Sequence, residues 1–169
     1  MSRAMFIRKE HDGDHQAVAE VTARAFASAE HSDQTEPEII ARLRASDALA
    51  ISLVAIESDV LVGHVAFSPV TIDGADLSWF GLGPVSVDPD NQGVGIGSAL
   101  IRAGLEQLRR QGAAGCVVLG DPAYYSRFGF ERDDGLRYEG APPEYFMRMS
   151  LIARATPTGC VDYSPAFTG

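Results

Sequence analysis

The chain has 169 residues, 46% of them hydrophobic and 22% charged, with a net charge of −9. These are the dimensions of one globular domain, 1–169, able to bury roughly 70% of the surface its unfolded form exposes, without disulfide or metal staples. The acidic balance argues against a nucleic-acid partner, which needs clustered Lys and Arg, and no run approaches the roughly 20 apolar residues that span a bilayer.

Met1 to Arg8 lacks the apolar core of a signal peptide, and the two cysteines form no framework; Cys116, inside an apolar run, reads as a buried small hydrophobe. A reducing, cytoplasmic setting is expected. Met5 to Arg8 predicts a first strand. The Asp12-Gly13-Asp14 cluster is placed to cap a helix from about His15 to Ala27, with Val18, Val21, Ala25 and Phe26 on its apolar face. Thr35 and Glu38 have capping-box spacing before a second helix carrying Ile39, Ile40 and Leu43.

Three strands should follow as an antiparallel meander: Leu49 to Glu57, Val60 to Ser68, and roughly Ser78 to Val87, separated by turns at Ser58-Asp59 and Asp73-Gly74. From about Gly93 to Gln111 the period becomes helical, with Leu100, Ile101, Gly104, Leu105 and Leu108 on one stripe. The continuous run Cys116 to Leu119 then reads as a buried strand, so strand, helix and strand form a βαβ unit with parallel partners. Asp121 as N-cap, Pro122 and Gly129 bracket a short helix from Pro122 to Phe128; Phe146 to Ile152 and Gly159 to Tyr163 are the last strands. The order of elements gives an α+β or mixed α/β sheet.

The segment richest in chemical meaning is Asp88 to Ser98, with glycines at 93, 95 and 97 between a strand and the longest helix. Those glycines let consecutive backbone N–H groups approach a ligand at the positive end of the helix dipole, and a pyrophosphate is the natural occupant. A nucleoside-triphosphate loop would need Gly-Lys-Ser/Thr, and the chain's one lysine is Lys9. A dinucleotide fingerprint would space its glycines G-x-G-x-x-G after the first strand of a parallel set. A tight strand-to-helix turn without a ligand is the remaining alternative.

Gln92-Gly93-Val94-Gly95-Ile96-Gly97 resembles the Q/R-x-x-G-x-G/A motif of the GNAT superfamily of N-acetyltransferases. Gly83 to Pro89 looks like the fourth strand of that family, and Tyr124-Tyr125-Ser126-Arg127-Phe128-Gly129-Phe130 resembles its aromatic-Tyr-x-Lys/Arg-x-Gly-Phe signature. The run Leu119 to Ala123, Phe146-Met147 and the Cys160 to Phe167 tail look like a widespread bacterial subgroup of that family.

The resemblance implies a central, mixed, largely antiparallel twisted sheet flanked by helices, with its fourth and fifth strands splayed apart around acetyl-CoA, commonly beside a bulge. Backbone groups of Val85, Ser86 and Val87 would pair with the pantetheine arm. The pyrophosphate would sit on Gly93, Val94, Gly95, Ile96, Gly97 and Ser98, framed by Gln92. A primary amine would attack the thioester directly, the oxyanion would meet a backbone N–H near Val85, and Tyr125 would protonate the departing CoA thiolate. Tyr124 is the neighbour able to substitute for it.

The family's asparagine after the fifth strand is missing, since Val118-Leu119-Gly120-Asp121 stands there. For a general base, Glu30, His31, His64 and Glu144 are candidates, beside water-mediated deprotonation. The acceptor site would be built from about Phe26 to Leu43 and from Asp133 to Glu144. Those segments carry Glu30, Asp33, Glu36, Asp133, Asp134, Glu139 and Glu144, an acidity suited to a cationic amine. A CoA-binding sensor without transfer is the alternative function, and a longer acyl chain a third. The resemblance also implies homodimers in many members.

Overall fold

The structure is a computed structural model and describes residues 4–29 and 32–168. Strands β1 (Met5–Lys9), β2 (Ile51–Glu57), β3 (Val60–Ile72), β4 (Ala75–Val87), β5 (Gly115–Leu119) and β7 (Phe146–Ser150) lie in the order β1-β2-β3-β4-β5-β7. β8 (Gly159–Asp162) pairs with the far end of β3 and carries the two-residue β6 (Leu136–Arg137) on its other edge. Within the main sheet only β4 and β5 run parallel, joined by helix α3 (Ile96–Arg110), as the βαβ reading requires.

The meander forms with longer arms than its sequence suggests. β3 runs four residues past Ser68, through Pro69, to Ile72. Proline is tolerated there because β2 has ended at the Ile51↔Phe67 pair and β8 begins only at Thr71, so its missing N–H costs no ladder bond.

One face of the sheet is covered by α3. Leu100, Ile101, Leu105 and Leu108 are buried on it against Leu53, Val65, Phe67 and Leu82, each burial contributing about 1.5–3 kcal/mol. The other face takes α1 (His15–Phe26) and α2 (Glu36–Ala45), with Val18 and Ile40 against Val54 and Ile56. Arg42 of α2 donates to the Ala166 carbonyl at 2.7 Å and so ties down the C-terminal tail.

Both expected helix caps are replaced. The Asp14 carboxylate makes no cap bond to α1. It accepts the His11 N–H at 2.7 Å and faces Arg8 at 2.6 Å, which together hold it at about 2, below the ordinary carboxylate range, with Arg8 the larger cause. Thr35 likewise makes no cap bond to α2, and no capping box with Glu38 forms. Its hydroxyl donates to Asp33, a nearer acceptor that a three-residue spacing rule does not see.

Candidate active site

β4 changes partners along its length. From Trp79 to Leu82 it is paired on both edges, with β3 and with Gly115–Val118 of β5; beyond Leu82 β5 no longer accompanies it. At that point β3 advances two residues, Val65 to Phe67, while β4 advances three, Val85 to Leu82, which places a bulge at Gly83-Pro84. The result is a fork whose one arm is Gly83–Val87, bound to β3 alone, and whose other arm is the end of β5.

Alternation along the strand then sorts the residues of the open arm. Asp88 donates its N–H to Val62 on β3, so Ser86, two residues back, also turns its backbone toward β3. Its side chain is buried against α1, donating to Thr22 Oγ1 at 3.2 Å. Val85 and Val87 present their N–H and C=O to the open edge. Of the three residues expected to meet a pantetheine arm, these two face the open edge, the Val87 carbonyl there accepting from Gln92, and Ser86 does not.

The glycine loop follows directly. Asp88 accepts from Asp90 N–H at 3.0 Å and is anchored to α1 by Arg24 at 2.6 Å, fixing the start of the turn. Gln92 donates its side-chain amide to the Val87 carbonyl at 3.0 Å, tying loop to strand. Gly93 and Gly95 have φ of +84° and +89°, values that a side chain disfavours, and Gly95 is the N-cap of α3. The first α3 backbone bond is Ala99 N–H to the Gly95 carbonyl, so the N–H groups of Ile96, Gly97 and Ser98 have no partner within the helix. Around them lies a cavity of about 300 Å³ lined by Val87, Asn91 and Gln92 on one side and by Tyr124 and Arg127 on the other.

At the other arm, Asp121 caps the short helix α4 (Pro122–Tyr125) by accepting the Ala123 N–H at 2.9 Å. A 3₁₀ turn, Ser126–Phe128, continues it, and Gly129 ends it at φ +105°. Tyr125 packs edge-on against Tyr124 at 5.0 Å and Phe130 at 6.1 Å between ring centroids. A Cβ on Gly120 would meet its ring at 2.3 Å, so the absence of a side chain at 120 is what lets the ring lie against the end of β5. Burial, with Tyr124 adding, pushes the Tyr125 hydroxyl up to about 12. It is a neutral donor throughout the physiological range. Tyr124 points elsewhere, its hydroxyl sharing a 3.1 Å hydrogen bond with Ser98 Oγ on α3.

The base candidates separate. His64 is fully buried on β3 on the side away from α3, its Nε2 2.8 Å from Ser52 Oγ; burial, with Arg44 nearby, pushes it down to about 3, so it stays neutral. Glu144 is exposed in the turn Pro143–Tyr145, whose Tyr145 carbonyl takes the Gly120 N–H. Glu30 and His31 lie outside the described residues. The acidic loop does line a cavity, of about 550 Å³, where Asp133, Asp134 and Glu139 stand with Arg132, Arg137, Tyr138 and Phe146. Cys116 is buried and its thiol is held protonated.

Sequence reading missed three features of the site. The Arg24–Asp88 anchor joins residues far apart in the chain. The Gly120–Tyr125 contact appears only as an unremarkable glycine. The Ser98–Tyr124 pair joins the glycine motif to the tyrosine signature, and only an i, i+4 reading of both helices could have suggested it.

A mixed sheet forked at a bulge, with a glycine loop at a helix N-terminus beside the fork, defines the architecture of an acyl-CoA-dependent transferase. The family profile described as "Acetyltransferase (GNAT) domain" matches residues 6–132, and the chain belongs to that family of acetyltransferases. It is 36% identical over 169 residues to the Escherichia coli uncharacterized N-acetyltransferase YhbS, an alignment covering 96% of this chain and 98% of the relative. The crystal structure of a Brucella melitensis GNAT family acetyltransferase in complex with acetyl-CoA superimposes with a TM-score of 0.88 at 48% identity, covering 98% of this chain and 99% of that one. The structure of Escherichia coli YhbS in complex with CoA gives a TM-score of 0.92 at 34% identity, covering 100% and 94%.

Proposed function

We propose that the protein transfers the acetyl group of acetyl-CoA to a primary amine by direct attack, with Tyr125 as the acid on the leaving sulfur. The observation that carries this reading is the continuity of the fork and the loop: the open edge of Val85 and Val87 leads through the glycine turn to the N–H groups of Ile96 to Ser98, which have no partner within the helix. A ligand with an amide-bearing arm ending in a pyrophosphate matches both in sequence. The relatives holding acetyl-CoA and CoA support that choice of ligand.

In the reaction a neutral amine adds to the thioester carbonyl, and the Val85 N–H on the open edge stabilises the oxyanion. The tetrahedral species loses its ammonium proton to water and collapses, breaking the C–S bond. The released thiolate takes a proton through Tyr125, which is resupplied from solvent. Pushed up to about 12, the phenol holds its proton more tightly than an ordinary thiol, so outright transfer to the thiolate runs uphill. Its main contribution is therefore a hydrogen bond to the sulfur as charge develops, with the proton moving late.

A cationic acceptor is the substrate reading, motivated by Asp133, Asp134 and Glu139 around the larger cavity. Arg148 pairs with Asp133 and Arg132 with Asp134, which leaves Glu139 to supply the attraction. Turnover of neutral or anionic amines alone in a mixed panel would remove it.

The test is titration calorimetry with acetyl-CoA beside a thiol-release assay on that panel. Binding with release on one amine class is expected; binding without release on any amine would favour a CoA sensor. Tyr125→Phe should keep acetyl-CoA affinity and lower kcat by about 10². Unchanged turnover at saturation would remove its role.

A further inference from the structure

The reading above places the pantetheine along β4 and the pyrophosphate on the glycine loop, and leaves the far end of the cofactor unassigned. CoA continues from its pyrophosphate into a ribose bearing a 3′-phosphate and adenine. With β4 occupied on one side of the loop, that end must leave on the other, over the seam where α3 meets α4.

The seam has a regular construction. Ser98 and Arg102 on α3 are one helical turn apart, as are Tyr124 and Phe128 across from them. Ser98 shares its hydrogen bond with Tyr124, and the Arg102 guanidinium lies over the Phe128 ring at 4.8 Å. Arg127 completes the arrangement. Its guanidinium stacks over the Tyr124 ring at 4.5 Å, its Nε donates to the Tyr124 carbonyl at 3.0 Å, and it is the one charged residue lining the loop cavity.

Most arginines of this acidic chain are consumed in ion pairs: Arg8, Arg24, Arg42, Arg44, Arg110, Arg132 and Arg148 each face a carboxylate. Arg102 and Arg127, like Arg109, Arg137 and Arg154, face none among the described residues, and both are exposed; what sets these two apart is that each lies over an aromatic ring. A guanidinium resting over an aromatic ring loses less side-chain freedom when an anion arrives than one free in solvent. Arg127 is also the basic position of the aromatic-Tyr-x-Lys/Arg-x-Gly-Phe signature, a residue for which the acetyl-transfer chemistry has no use.

We infer that Arg102 and Arg127 form an anion clamp for the 3′-phosphate of CoA, so that the protein selects the phosphorylated cofactor over its dephospho form. This assignment rests on the proposed acetyl-CoA reading for the path of the ligand but concerns binding alone.

The experiment titrates the full chain calorimetrically with CoA and with 3′-dephospho-CoA, for the wild type, Arg102→Gln, Arg127→Gln and the double variant. Thermal melting verifies that each variant is folded. The wild type should prefer CoA by roughly tenfold, as expected for a charge-assisted phosphate contact, and added salt should shrink that preference. Each single substitution should reduce it and the double should abolish it, with affinity for dephospho-CoA kept within about twofold. Arg127→Lys, which keeps the charge without the planar fork, should retain part of the preference. Equal binding of the two ligands by the wild type, a preference surviving in the double variant, or binding of neither ligand would each overturn the clamp. The two readings fail separately: a protein that binds CoA selectively without transferring acetyl leaves the clamp standing, and one that acetylates without discriminating leaves only the transferase.

Discussion

The two halves of β4 are built from one continuous strand and do opposite things. Trp79 to Leu82 is paired on both edges and buries its large side chains, Trp79 on one face and Leu82 on the other. Gly83 to Val87 is paired with a strand on one edge only, and half-buried Val85 and Val87 turn their main chain to the open edge, where only the Val87 carbonyl is engaged, by the Gln92 side chain. In the first half side chains supply the stability. In the second the backbone is the functional group, and the bulge at Gly83-Pro84 is where one regime passes into the other. A chain that needs an extended ligand to add itself as a strand must hold one arm rigid and leave the next unpaired.

This contrast is most forcefully tested at the closed half. Trp79→Ala removes a side chain that is 2% exposed and should cost about 3–5 kcal/mol of stability, read in denaturant titration. Acetyl-CoA affinity of the molecules still folded should be unchanged. A selective loss of affinity with stability intact would mean that the two halves are not divided as described.

Proline substitution tests the open half residue by residue. Val85→Pro deletes an N–H that faces the fork, so the ladder to β3 survives while turnover should fall by about 10² to 10³ through loss of the oxyanion donor. Ser86→Pro deletes an N–H on the β3 side and should instead destabilise the sheet. Melting curves and saturated turnover for the pair distinguish the two edges; equal effects at both positions would erase the distinction.

Next in size is the closed side of that same arm, where Ser86 lies opposite His64. His64 falls from its ordinary value to about 3 because burial disfavours the imidazolium. The unfolded chain therefore takes up a proton near pH 6.5 that the folded chain refuses until about pH 3. Stability should be fully present above 6.5 and decline with falling pH through that window, by about 1.4 kcal/mol per pH unit at its steepest. Asp14 adds a smaller decline below the ordinary carboxylate value. His64→Gln, which does not titrate, should flatten the upper part of the curve; an unaltered slope in its denaturation profile would show that the imidazole is charged in the folded protein.

What could be read in the sequence divides along similar lines. The glycine loop, the βαβ unit and the α4 brackets at Asp121, Pro122 and Gly129 are local: each residue sets the conformation of its own neighbourhood, and spacing reveals it. The two failed caps are local too, but there a competitor won, Asp33 for the Thr35 hydroxyl and Arg8 with His11 for the Asp14 carboxylate. Beyond such reach were β6, a two-residue strand that exists because β8 lies beside it, and the fate of Ser86, whose backbone direction follows from the register of β4 on β3. Nor could spacing show that Gly120 makes room for Tyr125. Motifs name the residues of the fork; only packing decides which way each one faces.

The smallest predicted effect lies at the joint between arm and loop. Gln92 is an exposed side chain that, among the described residues, hydrogen-bonds the Val87 carbonyl. That carbonyl belongs to the open edge, so in the free protein Gln92 occupies one of the acceptors an added strand would use, while also setting the distance between β4 and the first α3 N–H groups. If the framing role dominates, Gln92→Ala loosens the loop and weakens acetyl-CoA binding by about threefold to tenfold, the equivalent of one ordinary hydrogen bond. If Gln92 instead competes with the cofactor for Val87, the same substitution tightens binding. Stability should move by under about 0.5 kcal/mol either way, as for most exposed positions. The loop's dependence on an intact helix N-terminus favours weakening. Calorimetry on this one variant fixes the sign, and with it whether the arm and the loop act as one preorganised surface or as two that the ligand must bring together.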